Sequence, residues 1–162
     1  MTDYELLNKQ LISLVDGVSY DVSKLANASA LLYETMENVS WVGFYILKEN
    51  ELVLGPFQGK IACSIIPLNK GVCGTSAGKN ETILVKNVHE FPGHIACDSE
   101  SNSEIVIPIN VNNKLYGVLD IDSYELARFN EVDQIGLESF VKTLERLIIN
   151  IDVDMFVNLI QL

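Results

Sequence analysis

Two long β-branched runs separated by only two residues constrain this chain more than any other feature. Ile105 to Val111 and Lys114 to Ile121 flank Asn112-Asn113, and asparagine tolerates the left-handed backbone that a tight primed turn demands. The runs are therefore predicted to pair as an antiparallel hairpin. A further strand reads at Trp41-Val42-Gly43-Phe44-Tyr45-Ile46-Leu47, with Glu49-Asn50 as a turn before Leu52-Val53-Leu54. Shorter strand candidates lie at Cys63 to Ile66 and Thr82 to Val85.

Helical spacing brackets these strands. Tyr4, Leu7, Leu11, Leu14 and Val15 keep it, as do Val22, Leu25, Ala26, Leu32 and Tyr33 with the small Ser29 between them. Asp21 or Ser19 is placed to cap the second helix. A final helix starts near Asn130, where Asn130 and Asp133 stabilise its first turn. It offers Ile135, Leu137, Phe140, Leu144, Leu147 and Ile148 to a core. Helices at both ends of a mostly antiparallel sheet predict an α+β domain. A chain of 162 residues builds one such domain without disulfide or metal staples.

Charge narrows the partners. Acidic residues outnumber basic ones by 22 to 11, a formal net charge of -11, which repels phosphate backbones and anionic headgroups. Neither nucleic acid nor a membrane surface is expected as a partner. The first residues are acidic where a secretory signal is basic. The most apolar stretch, Leu147 to Leu162, is broken by Asn150, Asp152, Asp154 and Asn158, short of the ~18–20 apolar residues of a span. A cytoplasmic compartment is expected. Three cysteines make no structural disulfide framework there.

Between Pro56 and Ser103 the strands are short and the connections long, and all three cysteines and both histidines fall in that region. Long ordered connections are where sites concentrate. Gly71-Val72-Cys73-Gly74-Thr75-Ser76-Ala77-Gly78 reads as a tight turn into a short helix, which places Cys73 where backbone N–H groups stabilise a thiolate. Small-residue packing beside glycines explains that segment equally well. Phe91 to Glu104 has the composition of a polar loop, so Cys97 is unsuited to core filling. His94, three residues earlier, suggests a zinc half-site, but no second ligand pair follows. A Cys–His nucleophile is a further reading of the same residues.

Asp120 and Asp122 share one face of a strand, opposite Leu119 and Ile121. Glu104 lies just before the neighbouring strand. Charges within an apolar strand are costly without partners, although a solvated sheet face accounts for a lone pair. Trp41, Gly43 and Tyr45 likewise share a face, as ordinary core or as the wall of a pocket.

Six segments, Trp41-Val-Gly-Phe-Tyr45, Leu54-Gly-Pro-Phe-Gln-Gly-Lys60, Gly71-Val-Cys-Gly-Thr75, Phe91-Pro-Gly-His-Ile-Ala-Cys-Asp98, Ser101-Asn-Ser-Glu104 and Gly117-Val-Leu-Asp-Ile-Asp-Ser123, resemble the free methionine-(R)-sulfoxide reductase family, whose fold is GAF-like. The resemblance includes three cysteines at C-x₉-C-x₂₃-C spacing and runs from about Tyr4 to about Ile148. It implies one GAF-like catalytic domain over residues 1–149, with 150–162 as a C-terminal extension lacking an assigned role.

By that resemblance, the substrate is free methionine-(R)-sulfoxide. The reaction uses thiols without metal, flavin or other cofactor, and thioredoxin regenerates them. Cys97 resembles the attacking thiol, and Cys63 and Cys73 the thiols that form or relay the disulfide. Trp41 and Tyr45 resemble the pocket wall, and Glu104, Asp120 and Asp122 the carboxylates that hold the ammonium and polarise the sulfoxide oxygen. A homodimer is one candidate assembly.

The chemistry needs these groups. A sulfoxide sulfur is a poor electrophile until its oxygen is protonated or hydrogen-bonded, and crowded carboxylates keep one of their number protonated. Taken from the residues alone, Cys73 at a helix start is the better thiolate, because Asp98 follows Cys97 and a carboxylate raises a thiol pKa. A GAF ligand sensor without catalysis is the competing reading, and a metal-binding thiol protein a third.

Overall fold

The computed structural model describes residues 1–95 and 97–148; the expected extension at 150–162 lies outside them. Six strands form one antiparallel sheet: β1 (Trp41–Lys48), β2 (Glu51–Gln58), β3 (Ile65–Pro67), β4 (Ile83–Val85), β5 (Ser103–Val111) and β6 (Lys114–Ser123), in the order β3-β2-β1-β6-β5-β4. The hairpin that dominates the sequence is β5–β6. Asn112 and Asn113 both take positive φ, 51° and 60°, the primed turn that matches the strands' twist.

Strand alternation sends side chains to two cores. Val42, Phe44, Ile46, Ile105, Ile107, Leu119 and Ile121 face α1 (Tyr4–Val15), α2 (Asp21–Thr35) and α4 (Glu131–Leu147). Trp41, Tyr45, Val106 and Val118 point the other way, toward α3 (Gly71–Lys79) and its flanking loops. The α+β expectation is met, and the matched helices and strands are those the periodicity marks. β2 runs four residues past Leu54, whereas β3 starts only at Ile65 and leaves Cys63 in a loop.

Three details differ from expectation. Neither Asp21 nor Ser19 caps α2: Tyr20 holds the N-cap position without a side-chain bond. Asp21 instead pairs with the buried Lys24, 3.1 Å away, whose Nζ also donates to the Leu147 carbonyl at 2.7 Å. Leu14, Val22 and Tyr33 lie on the exposed flanks of their apolar stripes. Ile135 is 62% exposed, because it projects from the side of α4 opposite Leu137, Phe140 and Leu144. At the start of α4 the expectation holds: Asn130 Oδ1 accepts from the Val132 and Asp133 amides, and the Asp133 carboxylate accepts from the Asn130 N–H, a reciprocal cap. Among the described residues no helix is long and apolar enough to cross a membrane.

Candidate active site

Sheet register assembles the site. On β6, Asp122 sits between Trp41 of β1 and Glu104 of β5, and the next pair along the same face places Asp120 between Gly43 and Val106. Same-face residues two apart therefore bring Trp41, Tyr45, Glu104, Asp120 and Asp122 onto one surface. Gly43 is required there, since a Cβ would run into the Trp41 ring and the Phe57 side chain. In the space it leaves, Trp41 stacks on Tyr45 and Phe57, with ring centroids 5.9 and 5.2 Å away.

Two loops and α3 close this surface into a pocket lined by Trp41, Tyr45, Cys73, Cys97, Glu104, Asp120 and Asp122, among others. α3 brings the Cys73 sulfur to 3.8 Å from Glu104 Oε1. The β2–β3 loop is held by the pocket wall itself: Trp41 Nε1 donates to the Lys60 carbonyl at 3.0 Å and Tyr45 Oη to the Cys63 carbonyl at 2.9 Å. That loop is joined to the 91–102 loop by a Cys63–Cys97 disulfide with Cα atoms 5.3 Å apart. Lys60 reinforces the junction by pairing with Glu100 and lying over the Tyr124 ring. Cys63 is the one expected residue that stands behind the pocket rather than in its lining.

Electrostatics separate the thiols. The fully buried Cys73 thiol is pushed well above its ordinary pKa, first by burial and then by the Asp120 and Glu104 carboxylates. This corrects the view that Cys73 is the better thiolate: it does begin a helix, but loss of water and adjacent negative charge outweigh the helix terminus. Asp98 lines the same pocket as Cys97, its carboxylate accepting from the Glu100 amide and the Tyr124 hydroxyl at 3.0 and 3.5 Å. Glu104 and Asp122 are raised well above the usual carboxylate range by burial and then by Asp120. Burial lifts Asp120 to about 6, moderated by hydrogen bonds from Cys73 and Glu104. Protons thus reside preferentially on Glu104 and Asp122, buried acids beside the more readily ionised Asp120.

His94 lines the pocket, its pKa lowered by burial and by the charge of His89, which itself bonds Asn102. In the oxidised chain Cys97 is bonded to Cys63 and offers no free thiol beside His94. Ser101 was not singled out from the sequence: it lines the pocket, buried, with its hydroxyl unpartnered. Serine in a polar loop gives no signal of burial.

Residues 22–148 match the GAF domain family. The chain is 48% identical to free methionine-R-sulfoxide reductase of Escherichia coli K12, over 94% of this chain and 93% of that protein. It superposes on the reduced form of fRMsr of Staphylococcus aureus with a TM-score of 0.89 at 48% identity, covering 92% of this chain and 97% of that one. It is also similar to free methionine-R-sulfoxide reductase from Neisseria meningitidis in complex with its substrate, with a TM-score of 0.85, 43% identity, and coverage of 89% and 87%.

Proposed function

The chain belongs to the GAF-domain family of free methionine-R-sulfoxide reductases, and on that premise we propose that it reduces free methionine-(R)-sulfoxide to methionine with its own thiols. The observation that carries this reading is the convergence of a stacked aromatic wall, three carboxyl groups and Cys97 on one pocket. Trp41 and Tyr45 receive the methyl end of the substrate, and the Asp120 carboxylate receives its ammonium, with the Asp122 carboxyl beside it as a hydrogen-bonding partner.

In the reduced protein Cys97 attacks the sulfoxide sulfur. Cys97 is chosen because it lines the pocket, which Cys63 does not, and because Cys73 is held as a neutral thiol. Glu104, a carboxyl that keeps its proton and lies beside the Cys73 thiol, donates to the sulfoxide oxygen as it leaves sulfur. Oxygen passes to the Cys97 sulfur and two electrons pass to the substrate sulfur, giving methionine and a Cys97 sulfenic acid. The Cys63 thiol then attacks this sulfur. The S–O bond breaks, water departs, and the Cys63–Cys97 bond forms. A thioredoxin-class dithiol in the cytoplasm reduces it by exchange, with Cys73 remaining a thiol throughout.

Thiol titration tests the proposal. Reduced protein, with three thiols, should fall to one on exposure to the R-sulfoxide and release one methionine per chain. A ligand sensor would keep all three, and that outcome would overturn the reading.

A further inference from the structure

Among the described residues, one cluster has the spacing to hold a metal ion. The Cys73 sulfur and one carboxylate oxygen from each of Glu104 and Asp120 all lie within 4.8 Å of one another. These residues are 4%, 7% and 6% exposed, and Cys73 is the cysteine outside the disulfide. Asp120 Oδ1 has no hydrogen-bond partner although it is shielded from the surface. A buried carboxylate oxygen without a donor is costly and marks a place built for a cation.

A substrate ammonium is one cation that meets that need, and a metal ion is another. With the Cys63–Cys97 bond formed, the pocket keeps about 40 Å³ of cavity space, room for about three water-sized positions. A bare ion with one water fits. The separation of Cys73 Sγ from Glu104 Oε1, 3.8 Å, lies close to the ~3.5 Å edge of a tetrahedron with Zn–S of about 2.3 Å and Zn–O of about 2.0 Å.

We propose that the pocket is also a site for a soft divalent cation of the Zn²⁺ type, ligated by Cys73, Glu104, Asp120 and a water, and closed to substrate while the cation is bound. On binding, the Cys73 S–H and Glu104 O–H bonds break, both protons pass to solvent, and bonds form from Zn to the Cys73 sulfur and to one oxygen each of Glu104 and Asp120; nothing is oxidised. The thiol is neutral before the metal arrives, and coordination deprotonates it. Ordinary thiol poisoning takes the redox pair. This site needs neither Cys63 nor Cys97, so the oxidised protein binds as well. It stands on the geometry of the cluster and is separable from reductase activity.

The test uses the full-length oxidised chain titrated with Co²⁺ and Cd²⁺, followed by thiolate-to-metal charge-transfer absorption and then displaced with Zn²⁺. Wild type should show the band at one equivalent, as should the Cys63→Ser/Cys97→Ser double variant. Cys73→Ser should lose the band, and Asp120→Asn should bind about tenfold or more weakly. The wild-type band itself reports thiolate ligation, whatever the folding of the variants. No band in oxidised wild type, a band that survives Cys73→Ser, or one that requires Cys97 would overturn the proposal.

Discussion

The phenol of Tyr45 donates to the carbonyl oxygen of Cys63 across 2.9 Å, so one residue is both a wall of the pocket and a support of the redox loop. Trp41 repeats the device three residues upstream in that loop, through Lys60. Both aromatic residues act from one face of β1, so under the proposed function they would couple substrate contact to the position of the second thiol.

Tyr45→Phe isolates this coupling. The ring stays and the donor goes, which removes about 1 kcal/mol from the loop's placement. Methionine release in a single turnover should stay within about twofold, while closure of the disulfide slows about fivefold. Rapid quench with thiol mass mapping separates the two steps; an unchanged closure rate would show that the bond does not position Cys63.

Gly43→Ala should damage the aromatic wall without touching a charge. The added methyl meets the Trp41 ring and the Phe57 side chain, and overpacking of this kind costs about 1–3 kcal/mol. Denaturant unfolding should show that loss, and KM should rise more than kcat falls, because the displaced ring serves binding.

The carboxyl cluster predicts a pH dependence of stability. Glu104, Asp120 and Asp122 are all raised in the folded state, so the folded chain keeps protons that the unfolded chain releases near pH 4. Stability is therefore fully present below that point and is lost as pH rises, through about 6 for Asp120 and higher for the other two. Thermal unfolding of the oxidised protein should show Tm falling from about pH 5 to 8. Glu104→Gln should flatten the curve and gain about 1 kcal/mol at pH 8, at the expense of kcat. A steeper curve in the variant would contradict the assignment of the proton to Glu104.

The cysteines should separate by step. Cys97→Ser should abolish methionine release even in one turnover. Cys63→Ser should release methionine once and accumulate sulfenic acid, trapped by a dimedone-type reagent. Cys73→Ser should still form the Cys63–Cys97 bond. Loss of the first turnover in Cys73→Ser with retention in Cys97→Ser would reverse the roles.

Much of this was legible in the sequence because the site is built on strand alternation. Asp120 and Asp122 two apart, and Trp41 and Tyr45 four apart, must share a face in any regular strand. The register that sets Glu104 against Asp122 is not fixed by the Asn112-Asn113 turn alone, because an irregularity between Ile109 and Asn110 shifts the pairing by one residue. The loops were less legible. Nothing local pairs Cys63 with Cys97 across 34 positions, and the neutral state of Cys73 depends on carboxylates from two distant strands rather than on its own helix. Ile135 misled for the opposite reason: an apolar residue within a helical run carries no label saying which side of α4 it occupies.

The central claim is recognition of the free amino acid, and it is tested most directly by kcat/KM on four substrates with the dithiol held constant. These are free methionine R-sulfoxide, its S epimer, the N-acetylated R-sulfoxide and an oxidised protein. Acetylation removes the ammonium that the proposal places on Asp120, leaving its buried charge unpaired, and such sites reject analogues by ~10⁴-fold. The account predicts turnover of the free R form alone, with the other three lower by about that factor. Comparable kcat/KM on the N-acetylated or protein-bound R-sulfoxide would contradict it, even with the thiol chemistry intact.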